Sequence, residues 1–104
     1  MSYNKLVRDK IPEIIKNNNE TPVTRILSDD EYKIELEKKL LEEYYEVIEA
    51  NGKNRLEELA DMLEVRIALV NLENATLEDI MTIADEKRNK CGGFKEKIFL
   101  ESVK

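Results

Sequence analysis

The chain has 104 residues, 23 acidic against 17 basic, for a formal net charge of −6, with no His, no Trp and a single Cys. That is one domain's worth of chain, taken as 1–104. One Cys excludes an internal disulfide framework, and without His the nitrogen ligands of most transition-metal sites are missing, so any bound metal must be held by oxygen. The acidic balance argues against a binder of nucleic-acid polymers. No stretch approaches the ~20 uninterrupted apolar residues of a membrane span, and Met1-Ser2-Tyr3-Asn4-Lys5 leads into no apolar signal core. A soluble, cytoplasmic protein without a membrane partner is expected.

Hydrophobic residues at 41% and charged ones at 38%, with three Gly and two Pro, suit amphipathic helices. The first helix signal is Asp9-Lys10-Ile11-Pro12, with Asp9 as the cap and Pro12 in the first turn, where its missing N–H costs nothing. Asn17-Asn18-Asn19 ends that helix, and Thr21-Pro22 restarts the chain in extended form. Residues 23–27 alternate as a short strand would. Ser28 with Glu31 three residues later is a capping box, and nothing interrupts a helix from there to Ala50. Asn51-Gly52 then makes a turn, and a third helix runs from Leu56 to about Glu73. Thr76 with Asp79 caps a fourth over Leu77 to about Lys90, stopped by Gly92-Gly93. Cys91 reads as a small buried residue near that end. The apolar tail, 98–103, has residues 23–27 as its candidate partner in a short two-stranded sheet.

Helix three is apolar nearly all round in its second half, through Val65, Ile67, Ala68, Leu69, Val70 and Leu72, so several sides must be covered. Three other helices cover at most part of it. The expected fold is therefore mainly α: a helical hairpin-based bundle of about four helices, completed by assembly as a homodimer or homotetramer.

Helix two carries Glu42-Glu43-Tyr44-Tyr45-Glu46 and helix three Glu57-Glu58-Leu59-Ala60-Asp61. Glu43/Glu46 and Glu58/Asp61 are each three apart, hence on one face of their helix. About Gly52, Glu46 and Glu58 are equidistant, as are Glu43 and Asp61, so at ~1.5 Å rise per residue the pairs sit ~9 and ~13.5 Å from the turn. Glu43 also continues the apolar series Leu36, Leu40, Val47. A single E-x-x-E is ordinarily solvated surface; two matched across a hairpin form a square of four carboxylates. Like charges converging beside a core need a counter-cation. Mg²⁺, with Mn²⁺ as its substitute, prefers carboxylate oxygen and retains waters for substrate phosphates.

At these residues the sequence resembles the all-α nucleoside triphosphate pyrophosphohydrolase superfamily, the MazG-like and phosphoribosyl-ATP pyrophosphohydrolase-like proteins. Its signature, E-E-x-x-E on one helix and E-x-x-D on the next, corresponds to Glu42-Glu43-x-x-Glu46 and Glu58-x-x-Asp61. The opening from Tyr3 to Pro12 is similar to the start of a small phosphoribosyl-ATP pyrophosphohydrolase-like subgroup, and Gly92-Gly93-Phe94 to its C-terminal motif. Cys91 departs from the Arg expected before those glycines.

The resemblance implies Mg²⁺ held by Glu43, Glu46, Glu58 and Asp61 in a bundle completed by a second subunit, and cleavage of the α–β phosphoanhydride of a nucleotide to a monophosphate and pyrophosphate. Glu42 or Glu46 is the candidate proton acceptor. Lys5, Arg8, Lys10, Lys87, Arg88 and Lys90 are candidates for binding substrate phosphates, by resemblance and charge. House-cleaning of non-standard triphosphates is the expected role; phosphoribosyl-ATP as substrate and a non-catalytic nucleotide-binding helical oligomer are the alternatives.

Overall fold

A computed structural model describes residues 4–104, in which the chain forms four helices: α1 (Ile11–Asn17), α2 (Asp29–Glu49), α3 (Gly52–Leu72) and α4 (Leu77–Cys91). Tyr3 of the opening motif lies outside the described residues. Pro12 falls in the first turn of α1 as expected, but the cap is Lys10 rather than Asp9, and no side chain bonds there. Helix α2 begins on the expected box. The Ser28 hydroxyl accepts from the Glu31 N–H at 3.2 Å, and the Glu31 carboxylate accepts from the Ser28 N–H at 3.2 Å. Arg25 adds a fork to the same carboxylate at 3.3 and 3.0 Å. With Arg25 and Ser28 both donating to it, the Glu31 carboxyl is pulled down to about 2.

Only Ala50 and Asn51, both extended, separate α2 from α3. Gly52 opens α3 with a φ of +56°, so the third helix starts four residues before the Leu56 expected from periodicity. A residue without Cβ takes that left-handed angle at no steric cost, and this lets the chain reverse within two residues. Helices α2 and α3 pack along one another and carry the core, Leu36 and Val47. These lie eleven positions apart, three turns, on one stripe of α2.

The Thr76 box starts α4: Asp79 accepts from the Thr76 N–H at 2.8 Å and donates its own N–H to the Thr76 hydroxyl at 3.3 Å. Gly92, at φ +86°, follows its last residue. Helix α4 packs on α3, whereas α1 packs on no other helix of the described residues. Cys91 is exposed, not buried, because among the described residues α4 packs on no helix but α3.

The expected two-stranded sheet of residues 23–27 and 98–103 does not form: the described residues contain no strand. Val23 and Ile26 are 97% and 96% exposed and Phe99 87%, so each segment lies in solvent apart from the other. Alternation gives a segment the capacity to pair, and the partner decides whether it does. Here Arg25 turns to Glu31 instead. No helix of the described residues is long and apolar enough to cross a membrane.

The radius of gyration is 18.1 Å, with extents of 62 × 33 × 24 Å; a compact chain of this length would have about 13 Å. Large apolar side chains stay exposed along α2 (Ile34, Leu41, Tyr45, Ile48) and along α3 (Leu56, Leu59, Leu63). The chain is a helical hairpin with appendages.

Candidate metal centre

The stripe of α2 that buries Leu36 and Val47 also carries Glu43 between them, so packing of this hairpin turns Glu43 toward α3. There it meets the two acids that one turn of α3 projects from the same side. Glu43, Glu58 and Asp61 each offer a carboxylate oxygen, and the three oxygens lie within 4.8 Å of one another. All three residues are half-buried. The equal heights of Glu43 and Asp61 above the turn thus become a contact, and three corners of the expected square close.

Glu46, the fourth, is exposed and stands beside Glu58 without joining the three. Equal height is necessary for a corner but not sufficient. Rotation about the helix axis must also aim the side chain inward, and the buried stripe of α2 passes through Glu43 and Val47 rather than Glu46. Glu42 lies off that stripe as well and pairs with Lys39 one turn earlier, at 3.6 Å.

The electrostatics of Glu43 and Glu58 are those of groups short of positive charge. Loss of water on burial raises the Glu43 carboxyl above its ordinary value, and the charges of Asp61, Glu46 and Glu58 push it the same way. Glu58 is raised for the same reasons, desolvation first and then the neighbouring Glu46 and Asp61 charges. One oxygen of Glu43, Oε2, is buried without a hydrogen-bond partner. A buried carboxylate oxygen with nothing donating to it is costly unless a cation completes it. An all-oxygen donor set with an unpartnered buried oxygen fits a hard divalent cation such as Mg²⁺ or Mn²⁺.

The basic candidates divide. Arg8 reaches the acids: its Nη2 donates to Asp61 Oδ1 at 2.8 Å across 53 positions of sequence. Lys5 belongs to the same irregular segment, and Lys10 stands at the start of α1. Lys87, Arg88 and Lys90 lie exposed on α4, where Arg88 pairs with Asp85 of its own helix at 3.3 Å. Among the described residues no hydrogen bond or ion pair joins those three to the acids. Helix α4 meets α3 near its own beginning, where Ile80 shares a cleft with Leu69, Val70 and Leu72.

A polar cleft of about 370 Å³ adjoins the acids on the side of the turn, lined by Glu46, Glu49, Ala50, Asn51, Asn54 and Glu58. It adds two residues not foreseen as functional, Asn51 and Asn54, whose amides can both donate and accept. Asn54 is four before Glu58 and therefore on its face, a spacing that carried the signal; Asn51 was legible only as a turn residue.

Compared with known proteins, no family model matches the chain and no solved structure matches it. An uncharacterized protein of Mycolicibacterium smegmatis is 51% identical over 49 residues, 47% of this chain and 50% of that protein. The chain thus matches about half the length of that relative.

Proposed function

We propose that the chain is a Mg²⁺-dependent nucleotide pyrophosphohydrolase that cleaves the α–β phosphoanhydride of a nucleoside triphosphate or related nucleotide, giving a monophosphate and pyrophosphate. The observation that carries this reading is the convergence of Glu43, Glu58 and Asp61 around the unpartnered Oε2 of Glu43. Both acidic motifs resemble those of the MazG-like and phosphoribosyl-ATP pyrophosphohydrolase-like enzymes, as do the opening segment and Gly92-Gly93-Phe94.

Glu43, Glu58 and Asp61 would hold the cation, which when bound supplies charge neutralisation and Lewis acidity. Glu46, beside Glu58 but outside the three converging acids, is the candidate to accept a proton. Glu42 is the weaker candidate because Lys39 holds it. Asn51 and Asn54 offer amide contacts to a base or sugar in the adjoining cleft, and Arg8 brings positive charge to the phosphate side.

A second copy of the chain completes the fold in this reading. About Gly52 the exposed apolar residues are equidistant in pairs, Ile48 with Leu56, Tyr45 with Leu59 and Leu41 with Leu63, so both helices present apolar side chains at matching heights. An isologous interface on this strip would cover apolar side chains that the packing of α2 on α3 leaves open.

Incubation with a panel of nucleoside triphosphates and phosphoribosyl-ATP in Mg²⁺, followed by separate assays of pyrophosphate and orthophosphate, tests the reading. Pyrophosphate release lost on Glu58→Gln and Asp61→Asn is the expected result. Orthophosphate alone would overturn α–β cleavage, and metal-dependent nucleotide binding without turnover would make the chain a binding module.

A further inference from the structure

The salt bridge between Arg8 and Asp61 joins the N-terminal segment to helix α3 across 53 positions of sequence. Residues 4–10 are irregular, and the short helix that follows them packs on no other helix of the described residues. Yet Arg8 Nη2 sits 2.8 Å from Asp61 Oδ1, on one of the three acids whose oxygens converge. The pair is open to water, with 59% of the Arg8 and 46% of the Asp61 side chain exposed. The same three-acid group keeps Glu43 Oε2 buried and unpartnered. Arg8 therefore supplies part of the positive charge that the acids lack, from one edge.

The geometry points to Arg8 as a counter-cation of these acids: a divalent cation displaces it from Asp61. Three considerations carry this. An exposed single-contact ion pair is weak and easily exchanged. A doubly charged ion coordinated by several carboxylates competes for the same oxygen with twice the charge at shorter range. The guanidinium is carried on a long, largely exposed side chain, so Arg8 can yield the oxygen by moving. Arg8 would then answer to cation binding and could turn to an anionic ligand. This rests on the metal-binding half of the proposed function and extends it from the acids to Arg8.

Methyl NMR of the full chain titrated with MgCl₂ alone tests the exchange, with calorimetry in parallel. Met62, next to Asp61, reports occupancy of the acids; Leu6 and Val7, next to Arg8, report the ion pair. Mg²⁺ is expected to shift all three, moving Leu6 and Val7 to the positions that Arg8→Gln gives without metal. Arg8→Gln should bind Mg²⁺ ~2- to 5-fold more tightly, the factor that a surface ion pair is worth. Wild type in ~0.5 M NaCl without Mg²⁺, where the pair is screened, should move Leu6 and Val7 in the same direction without relying on a variant. A shift at Met62 with Leu6 and Val7 unmoved would overturn the exchange while leaving the metal site intact. Neither heat nor any shift at Met62, in wild type and variant alike, would overturn the metal site itself and the exchange with it.

Discussion

Replacing Glu43 by Gln keeps the shape of a half-buried side chain and removes its charge from the three-acid group, so without divalent cation the variant should be more stable than wild type. At the outer separation of 4.8 Å, a like-charge pair costs about 0.9 kcal/mol in bulk water and about 3.5 kcal/mol at an effective dielectric of 20. Asp61 is partly exposed and already paired with Arg8, so screening and partial neutralisation favour the lower figure. Relief of the Glu43–Asp61 repulsion is then worth roughly 1 kcal/mol, with Glu58 acting in the same direction. The new amide can also donate to a neighbouring carboxylate, which Glu43 cannot. For a chain of this size roughly 1 kcal/mol is ~4–8 °C in Tm. Thermal melts followed by circular dichroism in EDTA, at one chain concentration, should show that gain, and Glu57→Gln, an exposed neighbour outside the group, should stay within ~0.5 kcal/mol of wild type. Mg²⁺ at 100 times its Kd stabilises the chain that binds it by about 2.7 kcal/mol, so the order should reverse. A variant less stable than wild type in EDTA, or equal stabilisation of both by Mg²⁺, would refute the electrostatic account of these acids.

Sedimentation equilibrium should give a multiple of the 12.2 kDa chain mass, and Leu41→Glu with Leu63→Glu should shift it toward one chain; a monomeric wild type would contradict a second copy on that strip. Leu36→Ala should destabilise by ~2–5 kcal/mol in urea melts, as the loss of a buried leucine does, because among the described residues the core contains only one other buried apolar side chain. Glu31 is held at about 2 against an ordinary 4.5, a lowered acid whose contribution is complete above 4.5 and disappears as pH falls toward 2. An acid titration followed by circular dichroism should therefore show helix α2 losing stability across that window, and Arg25→Gln, which removes the main cause of the shift, should narrow the window from its acid side.

Much of the hairpin could be read directly from local chemistry. The two capping boxes, Ser28 with Glu31 and Thr76 with Asp79, mark the starts of α2 and α4 because each satisfies backbone donors within three residues. Equal spacing about Gly52 brings Glu43 and Asp61 level, since helix rise is fixed. What depends on encounters between distant segments was not legible. Residues 23–27 have the alternation of a strand but no strand partner among the described residues, and Arg25 binds forward to Glu31. Glu46 has the right height and the wrong rotation, which the buried stripe of α2 sets. Arg8 was a candidate by charge, but its landing on Asp61 across 53 positions depends on where the N-terminal segment lies. Gly52 was legible as a turn residue; its positive φ at the first position of α3 follows from a link of only two residues.

The central claim is that Glu43, Glu58 and Asp61 share one divalent cation. A crystal of the full chain grown with Mn²⁺, with data collected for its anomalous signal, tests this most directly. One peak is expected, reached by oxygens of all three residues, the buried Oε2 of Glu43 among them, at coordination distances of about 2–2.6 Å. Mn²⁺ bound elsewhere on the chain, or held by two of the acids while Glu43 Oε2 stays unpartnered, would contradict it.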